Sequence, residues 1–138
     1  MDKMTDNSKE RLQEVFFYGL YMDPHILRQK GVDPRNPRIG RAEGFELRLG
    51  NKATLLRSPG KMAHGIVYSL THAELDSLYR GAGLDEYVTE ALLVRVGEQN
   101  IAALCCNLLI PPEKGESNVE YETKLKAAME KLGVPVGN

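Results

Sequence analysis

Apolar and polar residues alternate along this chain with two different periods, and the switches between them mark out its elements. Val15 to Tyr18 is a run of β-forming apolar residues and predicts a buried strand, stopped by Gly19. Asp23-Pro24 then supplies an N-cap and a first helical residue, and Gly31 a stop, so a short helix is expected between them. Residues 32–42 carry Pro34 and Pro37 and read as loop, with at most a short strand over Arg38 to Ala42. Phe45 to Leu49 alternates as a half-buried strand should, and Lys52 to Leu56 predicts another short strand. Ser58-Pro59-Gly60 reads as a turn before a third strand, His64 to Leu70.

The second half is punctuated more sharply. Thr71-His72-Ala73-Glu74 has capping-box spacing and opens a short helix. Gly81 and Gly83 mark a loop. Tyr87 to Val96 is a long strand, paired across Gly97 to Asn100 with Ile101 to Ile110. Ser117-Asn118-Val119-Glu120 is a second capping-box pattern, and the helix it opens should end near Leu132, before Gly133. The order β-α-β-β-β-α-β-β-α predicts an α+β fold with a mixed, mostly antiparallel, curled sheet flanked by short helices. Residues 1–14 read as a polar tail and 15–138 as one domain, which suits a chain of 138 residues.

Composition narrows the function classes. A formal net charge of −1 gives no global pull toward nucleic acid or a membrane surface, and no apolar run approaches the length of a spanning helix. The start, MDKMTDNSKE, lacks the apolar core of a signal peptide, so the cytosol is the expected compartment. Charge is unevenly spread: Arg28 to Lys61 holds nine Lys and Arg against three acids, a local excess of six that would attract carboxylates. Cys105 and Cys106 are adjacent and read as small, partly buried thiols. His25, His64 and His72 show no metal-ligand spacing with them.

The candidate chemistry sits in FFYGLYMDP, Phe16 to Pro24. A strand that ends in a glycine turn just before a helix can present backbone N–H groups to an anion, or can simply turn a corner. FFYGLYMDPHIL resembles the opening of the γ-glutamylcyclotransferase-like family, which includes the plant avirulence-induced proteins. ATLLRSPG, AHGIVYSLTHAELDSL and EYVTEALLV resemble, in the same order, the segment before that family's central strand, the strand and helix that follow, and its tyrosine-bearing strand.

The resemblance implies a small barrel-like sheet with one pocket. It also implies the cyclisation of a γ-glutamyl amine or peptide to 5-oxoproline, without metal or cofactor. In that family backbone N–H groups of the Tyr-Gly loop hold the glutamyl carboxylate. Carried over, the substrate-binding residues are Tyr18, Gly19, Leu20, Tyr21, Met22 and Tyr87, and the partner is a small γ-glutamyl-type ligand or anion.

The family's proton carrier is the glutamate of Leu-Asp-x-x-Glu-Gly. In the register Leu78 to Gly83, Ala82 stands at that position. Some smaller relatives instead carry a glycine-rich loop followed directly by Glu-Tyr, which Gly83-Leu84-Asp85-Glu86-Tyr87 resembles, so the resemblance makes Glu86 the replacement candidate, with Asp85 and Glu90 behind it. Strand alternation sets a condition: if Tyr87 faces the pocket, a regular strand turns Glu86 away. The alternative is a domain of the same fold that binds a small molecule or a protein partner without catalysis. Oligomeric state leaves no mark in the sequence.

Overall fold

The computed structural model describes residue 8, residues 10–80 and residues 86–136. The chain runs through β1 (Leu12–Phe17), a 3-10 turn (Leu20–Met22), α1 (Pro24–Gln29), β2 (Arg35–Leu49) and β3 (Ala53–Thr71). It continues through α2 (His72–Arg80), β4 (Tyr87–Val96), β5 (Gln99–Leu108) and α3 (Val119–Leu132). The five strands lie in the order β1-β3-β2-β4-β5, and the sheet curls until β5 meets β1 again. Neighbours are antiparallel except at that seam, where Val15 pairs with Leu104 in parallel.

Two long strands replace the short ones expected from the prolines. Loop-like residues 35–42 are strand, because Pro37 falls at a register shift between Arg35 and Arg38. There a missing N–H breaks no ladder bond, and Asn36 takes the left-handed conformation (φ 54°). Ser58-Pro59-Gly60 is likewise no turn between separate strands: the pairing jumps from Glu43–Met62 to Phe45–Arg57, so these residues bulge out of one bent strand. The hairpin between β2 and β3 turns at Gly50, Asn51 and Lys52 instead.

Strand alternation divides the core in two. Phe16, Val67, Val94 and Cys105 are buried together inside the ring. Val15, Phe17, Ile66, Tyr68 and Leu70 point outward and are covered by the helices, through Leu27, Leu75, Leu78, Leu125 and Met129. Local caps hold those helices. Asp23 accepts from the His25 N–H at 3.0 Å, as the Asp-Pro pair predicts. Thr71 and Glu74 make the reciprocal capping box at 3.1 and 2.9 Å. The cap of α3 is Asn118, which accepts from the Tyr121 N–H at 3.0 Å, one residue later than the Ser117 box expected; Gly133 closes the helix at φ 75°. Among the described residues no helix is long and apolar enough to cross a membrane.

Candidate functional site: a tyrosine-lined pocket at the Tyr-Gly turn

A cavity of about 260 Å³ opens where β1 ends. Its walls are Tyr18 to Tyr21 from the turn, Asn51 to Ala53 from the tip of the β2–β3 hairpin, and the rings of Tyr79, Tyr87 and Tyr121. Five tyrosines thus meet at one site from four separate parts of the chain. Tyr21 packs edge-on against Tyr79 at 5.8 Å between ring centroids, and Tyr79 lies against Tyr87 at 5.5 Å.

Their hydroxyls are mostly committed. Tyr18 donates to the Cys106 carbonyl at 2.6 Å, and Tyr87 donates to the Ala53 carbonyl. Burial raises the pKa of Tyr18, Tyr21, Tyr79, Tyr87 and Tyr121 alike, and does so most strongly for Tyr18, Tyr79 and Tyr87. At neutral pH these groups are hydrogen-bond donors and dipoles, not bases.

The turn itself is already partly occupied. The Met22 N–H closes back on the Gly19 carbonyl at 3.0 Å, and the Leu20 N–H donates to the Tyr121 hydroxyl at 3.1 Å. This explains the glycine. Gly19 has ordinary extended dihedrals, but a Cβ on it would meet the Tyr121 hydroxyl at 2.5 Å. The residue is small so that α3 can reach the turn. Gly19 and Tyr21 remain as the backbone donors a ligand could meet.

Of the residues expected at the site, Tyr18, Gly19, Leu20, Tyr21 and Tyr87 line the pocket. Met22 does not: its side chain is fully buried in the helix-side core, and only its backbone belongs to the turn. Glu86 stands at the edge, with its side chain 69% exposed and its carboxylate 2.6 Å from the Lys52 ammonium; Lys52 lines the pocket. Glu90 faces elsewhere and accepts from the Asn107 amide at 3.2 Å. Ala82 and Asp85 lie outside the described residues. Among the described residues no carboxylate lines this cavity, and no group of three or more His, Cys, Asp or Glu is placed to hold a metal ion.

Tyr79, Tyr121 and Lys52 went unnoticed in the sequence. One signal for Tyr79 was present. Moved back by three residues, the Leu-Asp-x-x-Glu-Gly motif reads Leu75-Asp76-Ser77-Leu78-Tyr79-Arg80, with Tyr79 at the glutamate position. That register keeps the Leu-Asp pair and falls wholly on α2. The basic excess of residues 28–61 is largely met by local pairing: Arg35 with Glu74, Arg38 with Glu14, Arg41 with Glu43, Lys52 with Glu86. What reaches the pocket of that excess is Lys52.

Solved structures share this arrangement of strands and helices. One described as a γ-glutamyl cyclotransferase superposes with a TM-score of 0.76 at 20% identity, over 91% of this chain and 83% of that one. The fold is that of the γ-glutamylcyclotransferases. An uncharacterised protein from Homo sapiens matches with a TM-score of 0.73 at 21% identity, over 91% of this chain and 82% of that one. An AIG2-like protein from Mus musculus matches with a TM-score of 0.56 at 19% identity, over 79% of this chain and 90% of that one. No protein-family model and no curated protein sequence matches the chain. The expected α+β architecture with a curled, mostly antiparallel sheet is therefore the observed one.

Proposed function

We propose that the tyrosine pocket binds the γ-glutamyl group of a small amine or peptide and closes it to 5-oxoproline, with Glu86 carrying the proton. The observation that supports this is the Lys52–Glu86 pair: a pocket-lining ammonium holds a mobile-length carboxylate at the mouth, 2.6 Å away. The ligand carboxylate meets the remaining turn donors and Lys52. The α-ammonium, brought against the tyrosine ring faces, draws Glu86 inward as Lys52 turns to the ligand. Glu86 takes one proton from the ammonium. The freed amine attacks the γ-carbonyl and a ring C–N bond forms; the ring nitrogen then gives up a second proton, and the original amide C–N bond breaks as the leaving nitrogen takes up both protons, one of them from Glu86, and departs as an ammonium. No water is consumed. Both reacting groups belong to one molecule, so positioning supplies much of the acceleration.

The neutral tyrosines suit the charge that develops. Tyr121 accepts from the Leu20 N–H and so keeps its own proton to donate to an oxyanion or carboxylate. A second reading is favoured by Tyr79. In the register that keeps Leu75-Asp76 it stands at the family's glutamate position, and a buried phenol with a raised pKa is no base there, so on this reading the pocket binds its ligand without turnover.

The experiment is 5-oxoproline release from a panel of γ-glutamyl amino acids and amines, with binding measured in parallel by calorimetry. Turnover that Glu86→Gln abolishes while binding persists supports the proton-carrying role. Binding without turnover in the native protein selects the second reading. Turnover untouched by Glu86→Gln removes Glu86 from the mechanism.

A further inference from the structure

A second cavity of about 250 Å³ lies on the far side of Tyr18. Its floor is aliphatic: Leu47 and Leu49 from β2, Leu125 and Met129 from α3. Met62 and Ala63 add a third wall. Charged side chains stand around it, but they are matched to one another: Glu122 with Lys126 at 3.0 Å, and Glu46 with Lys61 at 3.7 Å. These four charges cancel, so the carboxylates and ammoniums of the rim ask for no net charge from an occupant, and His64 adds one polar ring to the wall.

The two cavities are neighbours by construction. Tyr18 lines both, with its hydroxyl donating to the Cys106 carbonyl at 2.6 Å. Helix α3 crosses the same boundary. Tyr121 enters the tyrosine pocket, and Leu125, one turn later on the same helix face, enters the aliphatic cavity. Leu49 of the second cavity pairs across the hairpin with Ala53 of the first.

We infer that the aliphatic cavity is the subsite for the leaving amine of the proposed cyclisation, taking amines that carry a branched aliphatic or thioether side chain. This rests on the γ-glutamyl reading of the tyrosine pocket. The size fits, since an apolar cavity of about 150 Å³ already accepts a benzene-sized molecule. The two methionines give an adaptable wall rather than a template for one side chain. The matched charges of the rim disfavour an aspartate- or lysine-type amine, which would have to break a pair to enter.

The test uses native protein labelled at its methionine methyls, with Met22, which belongs to neither cavity wall, as internal control. Titration with γ-glutamyl-leucine should shift the Met62 and Met129 methyls together with the Leu20 and Tyr21 amides. γ-Glutamyl-glycine and 5-oxoproline should shift the amides alone. γ-Glutamyl-leucine should bind about tenfold tighter than γ-glutamyl-glycine, the gain expected from burying one aliphatic side chain. Leu125→Trp, which fills the cavity, should remove that preference and leave 5-oxoproline binding unchanged. Silent methionine methyls with equal affinities for the two dipeptides would overturn the subsite. If no γ-glutamyl compound moves the loop amides, the reading of the tyrosine pocket fails. Leucinamide alone then decides the cavity: methyl shifts support a site for apolar amines, and silence ends it.

Discussion

Two carboxylates of this fold each face a basic side chain, and their surroundings differ in almost every other respect. Glu74 opens α2 and receives the Arg35 guanidinium at 2.8 Å, the Thr71 N–H at 2.9 Å and the Asp33 N–H at 2.8 Å. Its side chain is only 16% exposed. Burial would raise its pKa, but the hydrogen bonds from Arg35, Thr71 and Asp33, with the Arg35 charge, prevail and bring it down to about 2. Glu86 has one such partner, Lys52, and stands mostly in solvent. Among the described residues the most perturbed carboxylate is a structural clamp that ties α2 to the start of β2. The one left loose beside a pocket is the one proposed to move a proton. On that proposal the size of a pKa shift and the place of the chemistry do not coincide.

The largest test of that contrast is kinetic. Glu86→Gln should lower 5-oxoproline formation by about 10²–10⁴-fold, the usual contribution of a general base. It should leave the urea midpoint where it was, since a mostly exposed residue is changed. Glu74→Gln should do the reverse. It should cost about 2 kcal/mol in chemical denaturation and leave the rate per folded molecule intact.

The clamp also leaves a mark on the pH dependence of stability. A carboxyl whose folded pKa is depressed from 4.5 to about 2 stabilises the fold fully above pH 4.5 and loses that contribution as pH falls toward 2. The shift corresponds to roughly 3 kcal/mol. Glu14, whose pKa is also lowered as Arg38 and Ser69 outweigh its burial, adds to the slope in the same window. Denaturation followed from pH 5 to pH 2 should therefore be markedly shallower in Glu74→Gln than in the native protein. Equal slopes in the two would remove the clamp from the account.

Smaller effects sharpen the comparison at the turn. Asp23→Ala should cost about 1 kcal/mol by uncapping α1. Tyr121→Phe takes the acceptor from the Leu20 N–H, so amide exchange at Leu20 should quicken, with a stability loss of about 1 kcal/mol. Unchanged exchange there would mean that the Tyr121 hydroxyl does not hold the turn.

Legibility in the sequence followed range. Caps are written within four residues, so Asp23, Thr71-Glu74 and Gly133 could be read directly. The second box failed by one position because Ser117 and Asn118 can both cap, and only packing selects Asn118: its amide also donates to the Gly50 carbonyl at 3.0 Å. The prolines misled because a proline at a bulge and a proline ending a strand look alike in sequence; the difference is whether a partner strand lies opposite. The pocket was half visible. Its β1 end carries a local motif, whereas Tyr79, Tyr121 and Lys52 arrive from α2, α3 and a hairpin tip, and no local pattern announces that they converge.

The seam of the ring has a consequence for how the chain is made. β1 completes its pairing only when Leu104 lies beside Val15, and the Tyr18 hydroxyl finds its acceptor 88 residues downstream. On the ribosome β1 can first pair with β3, and β3 with β2, but the ring stays open until β5 has emerged. Through that interval one edge of an apolar strand has no covering neighbour, so the nascent chain is most exposed to wrong pairing just before its last strand arrives.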